Sequence, residues 1–145
     1  MRNERCYKSN DMKEEEIIQP VSKELLKSEL TPDRLLRVTN KSHNDIYVFS
    51  AIDAPNLMDE VGRLREDAFR NAGGGTGKAK DIDEFDLMPD CCKQLIVWNP
   101  DRREIIGGYR FLLGRRLRQG NRLNPRGPPP QIYLFRPLRY HTACL

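Results

Sequence analysis

The sequence predicts an α/β (α+β) domain built on a mainly antiparallel sheet with flanking helices. Three observations predict it: one strongly amphipathic helical stretch, two apolar runs joined by a connection of hairpin length, and a composition that suits one small domain. The chain has 145 residues, 38% of them hydrophobic, with a mean hydropathy of −0.71. That is polar for a chain that must bury a core of its own, and it excludes a large multidomain enzyme. No stretch approaches the ~20 apolar residues that span a bilayer. Met1 to Glu16 is charged with no apolar run behind it, so neither a signal peptide nor a membrane anchor is expected. Cys6, Cys91, Cys92 and Cys144 include an adjacent pair but no CxxC, which suggests neither a zinc site nor a disulfide framework. A reducing cytoplasm is the expected location.

In chain order, residues 1–19 crowd charges and offer little to bury, so a frayed arm is expected. Val21 to Leu30 places Val21, Leu25, Leu26 and Leu30 at helical spacing, with Ser22 as cap and Pro32 beyond the end. Ile46 to Ile52 is β-branched and aromatic between polar turns, and reads as a strand. Asn56 to Asn71 is the best helix: Leu57, Met58, Val61, Leu64, Ala68 and Phe69 recur at three and four, with charges on the other face. Asn56 is its expected cap and Gly73 its end. Lys93 to Trp98 and Glu104 to Leu113 are strands separated by Asn99-Pro100-Asp101-Arg102-Arg103, and should pair as an antiparallel hairpin.

Charge divides the chain after Gly114. Residues 1–114 hold 18 Lys+Arg and 21 Asp+Glu, a balance of −3. Residues 115–145 hold seven arginines, five of the ten prolines and no acidic residue, a balance of +7. The tail lacks a period that would bury one face, so it is not read as more of the same domain. Three segments follow: an arm (1–19), a folded part (20–114) and an Arg/Pro-rich tail (115–145), the tail expected to be extended or poorly ordered.

Gly73-Gly74-Gly75-Thr76-Gly77-Lys78 resembles a phosphate loop but fails as one. Ala72 and Ala79 stand where the first glycine and the Ser/Thr belong, and the cluster follows a helix instead of a strand. It is better read as a helix C-cap with a flexible loop. The run Asp81-Ile82-Asp83-Glu84-Phe85-Asp86 is more informative, because four carboxylates in six residues repel one another unless cations hold them. Candidate partners are Arg65, Arg70 and Arg110, the last inside an otherwise apolar strand where a guanidinium is costly without an acid. Gly107-Gly108 suggests a bulge or a close backbone approach. Trp98 and Tyr109 read as core and cross-strand residues, and Cys91-Cys92 as buried. His43 and His141 have no partners at a recognisable spacing, so histidine-based nucleophilic catalysis has no support.

Arg65 with Phe69 on the long helix, then Asp81-x-Asp83-x-x-Asp86, then a hairpin ending in Gly107-Gly108-Tyr109-Arg110, resembles the N-terminal part of GNAT-like N-acyltransferases that use acyl carrier protein thioesters. Acyl-homoserine-lactone synthases share the spacing. The hemolysin-like ornithine and glycine N-acyltransferases of the Bacteroides type are closer, over about Ile18 to Gly114. The resemblance implies transfer of a fatty or 3-hydroxyfatty acyl group from acyl carrier protein to the amine of an amino acid such as glycine or ornithine. It implies further that Arg65, Asp81, Asp83, Asp86 and Arg110 form an ionic network shaping the acceptor pocket, with Phe69 at its wall. The partners implied are acyl carrier protein as donor and an amino acid as acceptor; no metal or cofactor is implied, and the general base is unassigned.

A GNAT fold continues after this hairpin with a central strand, a helix that receives the donor's phosphates, and further strands. Instead the composition changes at Arg115. The expectation is a GNAT-like fold truncated after the second-to-third strand hairpin, an incomplete and inactive form with an unpaired hairpin edge. Peripheral membrane contact is a secondary expectation. The alternative is a non-catalytic domain whose basic tail binds nucleic acid or acidic membrane through its arginines, with Tyr133, Phe135 and Tyr140 for stacking, although no RNA-binding module is recognisable.

Overall fold

The computed structural model describes residues 14–40, 42–88 and 92–112, together with the backbone of three short strands in the tail. The elements are α1 (Lys23–Glu29), a 3-10 turn (Pro32–Arg34), β1 (Leu35–Val38), β2 (Asp45–Phe49), α2 (Pro55–Asn71), α3 (Glu84–Leu87), β3 (Lys93–Asn99) and β4 (Glu104–Phe111). The tail strands are β5 (Arg118–Gln119), β6 (Arg122–Leu123) and β7 (Gln131–Tyr133). Strands β1-β2-β3-β4-β7 form one antiparallel sheet, and β5-β6 a separate two-stranded one. No helix among the described residues is long and apolar enough to cross a membrane.

Directly opposed residues share a face. The rows Tyr47–Ile96–Gly108 and Phe49–Gln94–Arg110 therefore look the same way, and Trp98 opposite Ile105 joins them. Tyr47, Phe49, Ile96, Trp98 and Ile105 form the core with Leu57, Met58 and Val61 of α2 and Leu26 of α1. Burying one such side chain contributes about 1.5–3 kcal/mol, so this layer is the main term holding helix to sheet. The row also carries two polar residues, Gln94 and Arg110, into the interior. Ile106 is the extra residue where the β3–β4 register slips, and a Cβ on Gly108 would sit 2.6 Å from the Leu95 carbonyl oxygen. The glycine pair thus marks both a neighbouring bulge and a close approach, as expected.

α1 begins at Ser22, whose side chain accepts from the Leu25 N–H, and Gly73 (φ 81°) ends α2, donating to Arg70 O at 2.9 Å. The cap at the start of α2 differs from expectation. Asn56 does not cap the helix; its N–H and that of Leu57 donate to the Glu29 carboxylate at 3.1 and 2.8 Å, and Asn56 Nδ2 donates to it at 2.7 Å. A carboxylate from α1 thus meets the positive end of α2.

Three further expectations are corrected. The arm is not frayed throughout: Glu15 N–H donates to Gly77 O, Ile18 N–H to Ala79 O, and Glu15 Oε2 accepts from Ala79 N–H, all at 2.9–3.0 Å. Backbone pairing supplies what its composition does not. The hairpin edge is not bare, because Gly108 to Arg110 of β4 face Gln131 to Tyr133 of β7. The 3-10 turn, β1, α3 and the tail strands β5, β6 and β7 were not expected from the sequence. Residues 1–13, Cys91, His141, Phe135, Tyr140 and five of the tail arginines (Arg115, Arg116, Arg126, Arg136 and Arg139) lie outside the described residues.

Candidate functional site: an arginine–aspartate knot

The run from Asp81 to Asp86 folds into a turn and the short helix α3. Asp83 is its extended N-cap and accepts from Asp86 N–H at 3.1 Å, while Asp83 N–H donates to Asp86 Oδ2 at 3.2 Å. This reciprocal box satisfies two backbone donors that a four-residue helix would otherwise leave open. It also brings two carboxylates together, which requires cations.

Two arginines from opposite layers supply them. Arg65, on the core side of α2, places Nη1 3.0 Å from Asp86 Oδ2 and Nε 3.2 Å from Asp81 Oδ2. Arg110, inward-facing on β4, places Nη1 2.6 Å from Asp83 Oδ2 and 3.3 Å from Asp86 Oδ2. Gln94, directly across the ladder from Arg110, donates Nε2 to Asp86 Oδ1 at 2.7 Å. Asp86 is the hub, fully buried and accepting from helix, strands and its own turn. Arg65 and Arg110 are 1% and 2% exposed. Such a network is costly to desolvate and more costly to break, since removing one member strands a buried charge at about 3–5 kcal/mol.

Asp81 and Asp83 lie at the rim, with side chains 13% and 37% exposed. Burial pushes the Asp81 carboxyl above the usual carboxylate range, and the Arg65 charge only partly offsets it. Burial also acts upward on Asp83, but the hydrogen bond and charge of Arg110 outweigh it and hold Asp83 below its ordinary value. Two neighbouring carboxyls are thereby driven apart in proton affinity.

The structure therefore brings Arg65, Asp81, Asp83, Asp86 and Arg110 together, and Phe69 packs half-buried against the core. The surface of Arg65, Asp86 and Arg110 is taken up by one another, so they position the rim instead of offering contacts of their own. Arg70 is not part of the knot. Its Nε pairs with Glu66 Oε1 at 2.7 Å. Two participants were missed. Gln94 was legible as a polar residue on the inward phase of an apolar strand. Glu66, fully buried, accepts from Thr76 N–H (3.0 Å), Thr76 Oγ1 (2.6 Å) and Gly77 N–H (2.9 Å), and so holds the glycine-rich loop against α2. Ten residues separate Glu66 from Thr76, beyond the reach of local pattern reading.

Ile82, between the rim aspartates, points away from them across Gly62 of α2, where an added Cβ would lie 2.6 Å from Ile82 Cγ1. Asp81 N–H donates to Gly62 O at 3.0 Å, so the acidic turn lies directly on the helix. On this other side is a cavity of about 460 Å³ lined by Ala51, Pro55, Met58, Ile82 and Leu87, with Glu15, Asp59 and residues 78–80 at its rim. None of the six expected site residues lines it.

Comparison with known proteins bears on the same region. Residues 64–126 match the family model described as an acetyltransferase (GNAT) domain, which runs from α2 through the knot and beyond Gly114. The chain is 67% identical over 100 residues to a glycine N(alpha)-acyltransferase of Phocaeicola vulgatus, covering 69% of this chain and 31% of that protein. It is 66% identical over 104 residues to a glycine N(alpha)-acyltransferase of Bacteroides thetaiotaomicron, covering 72% and 31%. The chain thus spans about a third of the length of the curated relatives it matches. No solved structure matches. The matched segment and the two relatives agree with the resemblance read from the sequence: the chain is similar to a GNAT acetyltransferase domain and to part of two glycine N(alpha)-acyltransferases.

Proposed function

We propose that this chain forms the acceptor side of a glycine N-acyltransferase that takes a fatty or 3-hydroxyfatty acyl group from acyl carrier protein. In that reaction the neutral amine attacks the thioester carbonyl. A C–N bond forms, the C–S bond breaks, and the amine's proton is lost as the thiol leaves. An amine arrives at neutral pH as an ammonium, so the acceptor side needs ionised carboxylates held in place. Asp81 and Asp83 at the rim of the knot are the groups for this. Asp83, kept ionised by Arg110, suits a cationic amine best. Arg65, Asp86, Arg110 and Gln94 are positioning residues, fixing α3 between α2 and β4. The observation that carries the reading is the two-thirds identity to two glycine N-acyltransferases, over a chain that builds the knot.

The remaining two thirds of the relatives' length is assigned the donor side. The experiment joins residues 1–112 to that remainder, taken from the Bacteroides thetaiotaomicron relative, and measures N-acylglycine formed from acyl carrier protein thioester and glycine. Product is expected from the chimera and none from the 145-residue chain. Asp83→Asn in the chimera should raise the KM for glycine more than it lowers kcat. A folded chimera without product overturns the function, and an unchanged glycine KM overturns the role of Asp83. Turnover by the 145-residue chain overturns the assignment of the donor side elsewhere.

A further inference from the structure

The core and the knot occupy one face of the sheet, and α1, α2 and α3 all meet that face through Leu26, Met58 and Asp86. The alternate residues form the other face. Its cross-strand rows are Val48–Leu95–Tyr109 and Ile46–Val97–Gly107, and Phe111 opposite Lys93 extends it. Among the described residues no helix covers these rows. Ile46, Val48, Leu95 and Val97 are half-buried, and Tyr109 is 38% exposed. The one cation on the face, Lys93, is held by Asp53 at 3.2 Å, and Asn99 with Glu104 closes the far end. An apolar centre with a polar margin is the composition of a protein interface.

The relief of this face says what covers it. A Cβ on Gly107 would meet no atom within 4 Å, so the centre of β4 carries a notch. Two residues along the same strand stands Tyr109, its ring tilted against Phe111 with centroids 5.9 Å apart, and so directed away from the notch. Knob and notch lie about 7 Å apart on one strand. A two-fold axis lying in the interface, across β4 midway between them, sets each copy's Tyr109 over the other's Gly107. A foreign partner must supply a side chain for the notch and a recess for the tyrosine; a second copy supplies both.

We infer that the helix-free face of the sheet docks a second copy of this chain, sheet on sheet, with Tyr109 of each copy seated at Gly107 of the other. The inference does not rest on the acyl-transfer reading. Three strands of about five residues project roughly 250 Å² per copy, from strand spacings of ~4.8 Å and a rise of ~3.4 Å. That is well below the ~800 Å² per partner of a standard stable complex, so the dimer is weak, monomeric near ~1 μM and dimeric near ~1 mM.

Sedimentation velocity of the 145-residue protein across that range tests it. The mean mass should rise from 16.9 kDa towards twice that value. Tyr109→Lys, which buries an unpaired ammonium at the contact, should raise the dimer Kd at least tenfold. Gly107→Leu should do the same by filling the notch, whereas Tyr109→Phe, which keeps the knob, should stay within a few-fold of the parent. Leu36→Lys on the exposed edge strand β1 should change nothing, because the sheets stack instead of joining edge to edge. Circular dichroism should report an unaltered fold, and if Gly107→Leu fails to fold, the exposed Tyr109 position decides. A monomer at every concentration overturns the inference. So does a dimer that Tyr109→Lys leaves at parental affinity, or one that Leu36→Lys abolishes.

Discussion

Replacing Asp86 with alanine tests the knot most directly. The side chain is fully buried and accepts from Arg65 (3.0 Å), Arg110 (3.3 Å), Gln94 (2.7 Å) and the Asp83 N–H (3.2 Å). Breaking a buried ion pair costs about 3–5 kcal/mol. Here each guanidinium keeps one carboxylate, Arg65 with Asp81 at 3.2 Å and Arg110 with Asp83 at 2.6 Å, which places the ionic part at the low end. The Gln94 amide loses its acceptor, at about 1 kcal/mol or more. The sum, roughly 4 kcal/mol, is a large share of the ~5–15 kcal/mol that holds a domain folded. With a urea m value of ~2 kcal/mol/M, the midpoint should fall by about 2 M. Asp59→Ala is the control, since its pair with Lys80 is 43% and 38% exposed and is worth under ~1 kcal/mol. A midpoint shift in Asp86→Ala no larger than in the control would refute the argument that the hub carries the turn.

Other outcomes follow from the same geometry. Asp83→Asn should destabilise the protein at pH 7. Because the folded carboxyl lies below its ordinary value of 3.8, the difference should begin to shrink below about pH 4 and be lost as pH falls through that lower folded value, read as urea midpoints from pH 7 down into the acid range. Asp81→Asn should behave oppositely: its folded carboxyl lies above the ordinary value, so ionisation costs stability at neutral pH, and the variant gains at pH 7 an advantage that is absent at pH 3. Glu66→Ala should cost about 3 kcal/mol and speed amide exchange at Thr76 and Gly77, whose N–H groups it now accepts from; unchanged exchange there would remove its role as loop anchor. Gly62→Ala, normally worth about 1 kcal/mol in helix propensity, should instead lower the melting temperature, because its Cβ meets Ile82 at 2.6 Å and the Asp81 carbonyl at 3.3 Å.

The parts legible from sequence are those whose cause is local. The 3.6-residue period of Leu57, Met58, Val61, Leu64, Ala68 and Phe69 gave α2, and the apolar run from Lys93 to Trp98 gave β3. The repulsion within Asp81 to Asp86, with an arginine stranded in an apolar strand, was enough to expect Arg65 and Arg110 to meet the aspartates. β1 escaped notice because all four of its residues are exposed on the sheet edge, which leaves no alternation to read. α3 escaped because four residues carry no period, and its stability comes from a cap and from cations 21 and 27 positions away. Arg70 was paired wrongly for a related reason: the Glu66 carboxylate one turn earlier on the same helix outcompetes the more distant acids.

The Glu29 carboxylate at the start of α2 bears on how this protein can be shortened. The first turn of the long helix donates two of its amides to this carboxylate, which lies ahead of β1 in the chain. Val21 N–H also donates to Glu60 in the middle of that helix, at 3.0 Å. A recombinant version trimmed to begin at the sheet would leave two amides of α2 uncapped and the Glu60–Arg63 pair without its third member. Trimming from the front should keep Glu14 and Glu15, which reach Arg70 of α2 and the loop at Gly77 and Ala79.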